Sequence, residues 1–92
     1  MINGNVSEFV DHIHYGDELV FTFRGRKFFL QGLSEKGVYT LYLDRWDPPS
    51  NEYLWVGKGE ANNYPVDEFL NAKIWDGKAF WDAEQEMEWI DS

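Results

Sequence analysis

Residues 18–33, ELVFTFRGRKFFLQGL, decide the fold of this 92-residue chain. The first half of the stretch alternates large apolar residues with smaller or polar ones, a period of two that is typical of a half-buried strand. Glycine adopts a positive φ without a Cβ clash, so we predict a two-residue hairpin turn at Gly25-Arg26 and a return strand over residues 27–33. The apolar positions of the first strand are Leu19, Phe21 and Phe23.

Phe28 and Phe29 are neighbours in the return strand, so their side chains must point to opposite faces of the sheet. Either both faces are covered, with the C-terminal segment as one possible cover, or one phenylalanine lies on an exposed surface, in which case we expect a partner to bind at the hairpin. The natural cover for the second face is a short N-terminal helix that has Asn5 as N-cap and Glu8 at the capping-box position, and that ends at Gly16. The apolar stripe of this helix consists of Val6, Phe9, Val10 and Ile13.

Two further strands are expected to extend the hairpin into an antiparallel meander. Residues 34–37 are predicted to turn, and residues 38–46 alternate as a third strand. The prolines of residues 47–51 cannot donate to a sheet and therefore break the pattern. Residues 53–56 are short, apolar and rich in strand formers, which predicts a fourth strand.

The second half of the chain predicts shorter elements. Pro65 favours the first turn of a helix over residues 65–70, Asp76-Gly77 is a turn, and residues 78–83 can form a third helix. Residues 84–91 could be a helix or a strand, and we prefer the strand because the helix would stack like charges at i and i+4. We expect a single α+β domain over residues 1–92: an N-terminal helix, an antiparallel meander of about four strands, one or two short helices and a C-terminal strand.

Charge restricts the class of partner. The net charge is −9, with eight acids and six bases in residues 1–59 and nine acids and two bases in residues 60–92. Binding to phosphates depends on Lys and Arg, so we expect neither nucleic acid nor an anionic membrane as a partner, whereas a basic protein is compatible. No apolar stretch approaches the ~18 residues of a membrane span, and the absence of cysteine fits a reducing compartment, so we expect a soluble cytoplasmic protein.

Motifs for catalysis, metals or cofactors are weak in this sequence. His12 and His14 would diverge on a helix, and no cysteine joins them, so we predict no metal site. Gly57-Lys58-Gly59 lacks the spacing of a phosphate-binding loop, and no Ser or Thr follows its lysine. Acids and tryptophans are abundant, as in glycosidases, but so small a domain needs most of its aromatic residues in the core. We therefore expect a non-catalytic protein without a cofactor.

An interface is the better use of surplus aromatic residues, since Tyr and Trp are enriched where proteins meet and acids around them select a basic partner. The first candidate surface surrounds the Pro-Pro loop and consists of Asp44, Trp46, Asp47, Glu52, Tyr53 and Trp55. The second is the acidic tail with Glu84, Glu86 and Glu88. The alternatives are a solvated surface without a partner, a structural homo-oligomer, and a small carbohydrate-binding domain.

Two segments, FTFRGRKFFL at residues 21–30 and FLNAKIWDGKAFWDAEQEMEWID at residues 69–91, resemble small uncharacterised α+β proteins of low-GC Gram-positive bacteria. In those proteins a helix, a hairpin with a glycine turn and a meander precede an Asp-Gly-Lys turn, which here is Asp76-Gly77-Lys78. Some small acidic proteins of this kind resemble immunity proteins that are encoded beside toxins. The resemblance implies the α+β fold and suggests an immunity- or antitoxin-like inhibitor, and it assigns no site residue.

Overall fold

The computed structural model describes residues 2–60 and 62–91, which form a five-stranded antiparallel sheet with helices on one face. The strand order is β4-β3-β2-β1-β5, so the meander of β1 to β4 is extended by the C-terminal strand beside β1. The predicted α+β architecture is thereby confirmed. The helices are α1 (Val6–Tyr15), α2 (Val66–Asn71) and α3 (Phe80–Ala83), the strands are β1 (Leu19–Phe23), β2 (Arg26–Glu35), β3 (Val38–Asp47), β4 (Trp55–Lys58) and β5 (Met87–Asp91), and short 3₁₀ turns span Ile2–Gly4 and Glu84–Glu86.

The hairpin turn between β1 and β2 lies one residue earlier than predicted, at Arg24-Gly25 instead of Gly25-Arg26. Arg24 and Gly25 have φ values of 49° and 77°, and Phe23 pairs with Arg26. Two positive φ angles define the type I′ turn, whose twist matches that of the strands and which favours glycine second. The β2–β3 connection repeats this solution at Lys36-Gly37, so the turn is shorter than predicted and both strands are longer.

The core lies between one face of the sheet and all three helices. Phe9 of α1 meets Phe21 of β1 edge-on at 5.3 Å between ring centroids and stacks on Phe80 of α3 at 5.9 Å. Phe69 of α2 meets the buried Trp75 at 6.3 Å. The prediction that the N-terminal helix covers the second face of the hairpin is therefore wrong. Each helix buries only two or three residues, so all three are needed to cover the same face.

Helix α1 ends at Gly16 as predicted, with φ of 72°. The predicted capping box is not formed, because the Asn5 backbone lacks the extended cap geometry and its side chain makes no capping bond. Gly16 accepts a hydrogen bond from the backbone N–H of Gly32 at 3.2 Å, and the Tyr64 ring lies against both glycines. A Cβ on Gly32 would lie 2.6 Å from the Gly16 Cα, so this close approach of helix and strand requires glycine.

Three later boundaries differ from the prediction. Strand β4 begins at Trp55 instead of residue 53, because Tyr53 belongs to the preceding loop. Helix α3 begins at Phe80. In the tail, only Met87–Asp91 is a strand, and Glu84–Glu86 form a 3₁₀ turn instead. Within β5, Met87 is buried and Ile90 is exposed, as the predicted alternation requires.

Candidate functional site: the open face of the sheet

The side of the sheet opposite the helices carries large apolar side chains that the described residues leave exposed. Strand alternation and cross-strand pairing place them there, since Gln31 pairs with Tyr42 and Tyr42 pairs with Val56. Leu33 and Val56 are 50% and 47% exposed. We call this surface the open face and define it by Phe29, Leu33, Tyr42, Trp46 and Val56.

Two aromatic pairs order the centre of the open face. Phe29 and Trp46 are stacked with centroids 4.5 Å apart and 12° between their planes. Tyr53 lies against Tyr42 at 4.9 Å. Trp46 and Tyr53 nevertheless remain 47% and 49% exposed. Because the partner rings restrict their rotamers, these side chains present a partly pre-ordered surface that would lose little entropy on binding.

Trp46 lies on the open face by ordinary strand alternation, two residues after Asp44, and a bulge at this point turns Asp47 to the same side, where it pairs with Lys27. Phe28 pairs with Arg45 and Lys27 pairs with Asp47, so Trp46 is the extra residue between two register positions. A bulge re-aims a side chain and is frequent near functional surfaces. The neighbouring residues Phe28 and Phe29 lie on opposite faces of the sheet, as alternation requires. Phe28 is 3% exposed in the core, whereas Phe29 lies on the open face and stacks on Trp46.

The loop after β3 is held beside the open face by hydrogen bonds. The Asp44 carboxylate accepts from the backbone N–H of Arg45 at 2.8 Å and from the Ser50 hydroxyl at 3.1 Å. Arg45 Nε donates to the carbonyl of Pro48 at 2.8 Å, and the Asp47-Pro48 peptide is cis. Asp44 is therefore a partly buried structural acceptor.

The first predicted cluster is only partly brought together. Asp44, Trp46 and Tyr53 lie at the open face, Asp47 is exposed at the end of β3, and Glu52 is exposed in the adjoining loop. Trp55 does not belong to this surface. It pairs with Leu43 on the core side, and its ring packs on Phe69 at 5.3 Å.

The predicted acidic tail does not form one surface. Glu86 accepts two hydrogen bonds of 2.8 Å from Arg24, which lower the pKa of its carboxyl. Arg24 and Arg26 also bind Asp76, at 3.1 Å and 2.7 Å, and their hydrogen bonds, that of Arg26 above all, lower the pKa of Asp76. This network joins the first hairpin turn to the turn before α3 and occupies Glu86.

The other two tail acids differ from Glu86. Glu84 is partly buried, and its Oε2 has no hydrogen-bond partner among the described residues. Glu88 is exposed and pairs with Thr22, which places it on the same side as the open face. Only Glu88 of the three is thus available at this surface.

The two predicted surfaces omit four members of the open face, namely Phe29, Leu33, Tyr42 and Val56. The signal for them was present. Phe29 cannot share the face of Phe28, and Tyr42 alternates with the buried Leu41 and Leu43. What the sequence could not show was that every helix would pack on the other side.

The histidines and the helices show no other kind of site. His12 Nδ1 lies 2.7 Å from Asp17 Oδ2, and its ring contacts Trp89 at 5.3 Å. Within residues 2–60 and 62–91, no group of three His, Asp or Glu side chains is arranged to hold a metal ion. None of the helices in the described part of the chain is long and apolar enough to cross a membrane.

Comparison with known proteins adds no relative. Neither the protein-family models, nor the curated proteins, nor the solved structures contain a match to this chain. The resemblance to small α+β proteins of low-GC Gram-positive bacteria stays a prediction.

Proposed function

We propose that this protein is a non-catalytic, acidic protein-binding module of the cytoplasm, of the immunity- or antitoxin-like inhibitor type, and that a basic protein docks on its open face. The observation that carries the proposal is the stacked Phe29–Trp46 pair, which leaves a tryptophan 47% exposed on the face of the sheet that no helix covers. Contiguous exposed apolar surface with polar residues around it is typical of protein–protein contact sites. Tryptophan and tyrosine are also the side chains that most often dominate binding energy.

Charge favours a basic partner over a second copy of the chain. Exposed acids adjoin the open face at Asp47, Glu52 and Glu88, and the chain as a whole carries −9. Lys27 and Lys58 are the opposing bases on the same side of the sheet. Two copies at −9 each would repel at long range, whereas a basic protein would be attracted and steered.

The apolar contact can be tested with two matched tryptophans. Trp46 lies on the open face and Trp81 lies in α3 on the helical side, at 47% and 51% exposure. We expect the protein and its Trp81→Ser variant to capture the same basic protein from an extract of the source cell. Trp46→Ser should weaken the affinity for the purified partner by at least about tenfold, as for a central aromatic contact.

Equal binding of that partner by the Trp46→Ser and Trp81→Ser variants would contradict the proposal. So would the failure to capture any basic protein. Sedimentation at micromolar concentration provides a further check. A concentration-dependent dimer that Trp46→Ser abolishes would show that the open face pairs with a second copy instead.

The predicted attraction of a basic partner by the acids beside the open face can be tested with two matched pairs of charge-reversal variants. Asp47→Lys with Glu52→Lys changes the net charge beside the open face, and Glu8→Lys with Asp11→Lys makes the same change on α1. We expect the first pair to slow association with the partner and to reduce its salt dependence more than the second pair does. Equal effects would show that only total charge matters.

A further inference from the structure

We propose that a cavity at one end of the helical layer binds a small organic anion with a flat apolar body. The cavity has a volume of about 430 Å³ and is open to solvent on one side. Phe23 and Phe28, both from the core face of the sheet, line it from below, and residues 72–76 form a wall. Its size lies within the range of small-molecule sites.

The charge around this cavity is opposite to that of the whole protein. Three bases, Arg26, Arg45 and Lys73, line it against a single acid, Asp76, although the chain carries 17 acids and eight bases. Arg26 is paired with that acid at 2.7 Å. Within residues 2–60 and 62–91, Arg45 and Lys73 form no ion pair. Two uncompensated cations beside a concave apolar wall focus a positive potential there, which selects an anion.

The rest of the lining is apolar and largely aromatic, which selects the body of the ligand. Trp75 is 1% exposed, and the Phe28 ring meets it edge-on at 5.0 Å, so this wall is rigid. Lys73 is exposed, whereas Arg26 and Arg45 are partly buried, so the charged head of a ligand would lie towards solvent. An aromatic carboxylate has this combination of a flat ring and one anionic group. The large apolar side chains of the lining are Phe23, Phe28, Leu54, Trp55, Ile74 and Trp75.

This site is separate from the open face. Arg45 pairs with the buried Phe28, while its neighbours Asp44 and Trp46 belong to the opposite side of β3. Arg45 Nε is fixed by its 2.8 Å bond to the Pro48 carbonyl, which holds the guanidinium at the cavity without neutralising its charge. The anion site therefore stands or fails independently of the docking proposal.

A titration with 2-naphthoate, followed by NMR of the amide and indole N–H groups, tests the proposal. We expect saturable shifts at the indole signals of Trp55 and Trp75 with a Kd at or below about 1 mM, and no shift at Trp46. The neutral 2-naphthylmethanol should bind about tenfold more weakly because it lacks the charge-assisted contacts.

Two lysine variants test whether the positive charge that attracts the anion lies at the cavity. Lys73→Glu should weaken naphthoate binding about fivefold or more. Lys36→Glu makes the same charge change in the β2–β3 turn, at the far end of β2 from Arg26, and should alter the Kd by less than about twofold. The proposal is overturned if Trp55 and Trp75 do not shift, if the neutral compound binds equally well, or if both variants weaken binding to the same degree.

Discussion

Adjacent phenylalanines on opposite sides of one strand allow the open face to be tested by stability alone. Phe28 and Phe29 share sequence context, strand and residue type, but only Phe28 belongs to the core. We predict that Phe28→Ala destabilises the protein far more than Phe29→Ala. The comparison needs no partner and no knowledge of function.

The structure gives the expected magnitudes. Phe28 is 3% exposed and contacts Phe21 at 5.8 Å and Trp75 at 5.0 Å, so its truncation leaves a cavity and should cost about 3–5 kcal/mol. Phe29 loses its stacking on Trp46, about 0.5–1.5 kcal/mol, and alanine is the poorer strand former by up to about 1 kcal/mol. The free energy of unfolding should therefore fall by only about 1–2 kcal/mol for Phe29→Ala.

Urea denaturation followed by far-UV circular dichroism measures both changes. With a slope of about 1 kcal/mol per molar urea for a small protein, the midpoint should fall by about 3–5 M for Phe28→Ala and about 1–2 M for Phe29→Ala. If Phe28→Ala does not fold, Phe28→Leu compared with Phe29→Leu keeps the test measurable, with a loss of about 1–1.5 kcal/mol at Phe28 and a smaller one at Phe29. A loss for Phe29→Ala as large as that for Phe28→Ala would refute the open face, because it would mean that Phe29 is fully covered.

Two other features of the fold give predictions. The pKa values of Glu86 and Asp76 are lowered by their arginine partners, so both carboxylates stabilise the native state above the unfolded-state values near pH 4. That contribution is lost as the pH falls through the lowered native values. Glu86→Gln should thus reduce the melting temperature at pH 7 and flatten its acid dependence, whereas Glu88→Gln, which has no ion pair among the described residues, should do neither. Gly32→Ala should reduce the free energy of unfolding by about 1–3 kcal/mol in urea denaturation, because its Cβ would lie 2.6 Å from the Cα of Gly16, and removing the Tyr64 ring as well should not restore stability.

The architecture was predictable because its signals are local. Alternation in residues 18–33 and 38–46 depends on side-chain chemistry alone, and glycines mark the turns. Boundaries were less predictable where several geometries satisfy the same pattern. A hairpin turn at Arg24-Gly25 and one at Gly25-Arg26 both keep Phe21 facing the core, so the alternation could not choose between them. The type I′ turn favours glycine at the second of its two central positions, and this preference selects the turn at Arg24-Gly25.

The candidate site depends on facts that no local pattern contains. Alternation places Trp46 on the same side as Tyr42 but cannot show that this side is open, and no local pattern predicts the bulge that puts Asp47 opposite Lys27. In a strand that began at residue 53, Tyr53 and Trp55 would share a face, but β4 begins at Trp55, so Tyr53 contacts Tyr42 on the open face while Trp55 pairs with Leu43 on the core side. Glu86 has its partner 62 residues away, so its engagement with Arg24 could not be read from neighbours in sequence.

The layout of the sheet also indicates how a partner would bind. A sheet can bind proteins by adding a strand to its edge or by packing side chains against its face. The edge strands are short here, with four residues in β4 and five in β5. They carry the exposed charges Lys58 and Glu88, and the 3₁₀ turn Ile2–Gly4 packs beside β5, all of which discourage strand addition. The open-face aromatic residues Phe29, Tyr42 and Trp46 are instead on the long strands β2 and β3, which lie inside the sheet and not at its edges. A partner should therefore bind through the side chains of the open face, and substitutions at Trp46 should affect its affinity more than prolines placed in β4.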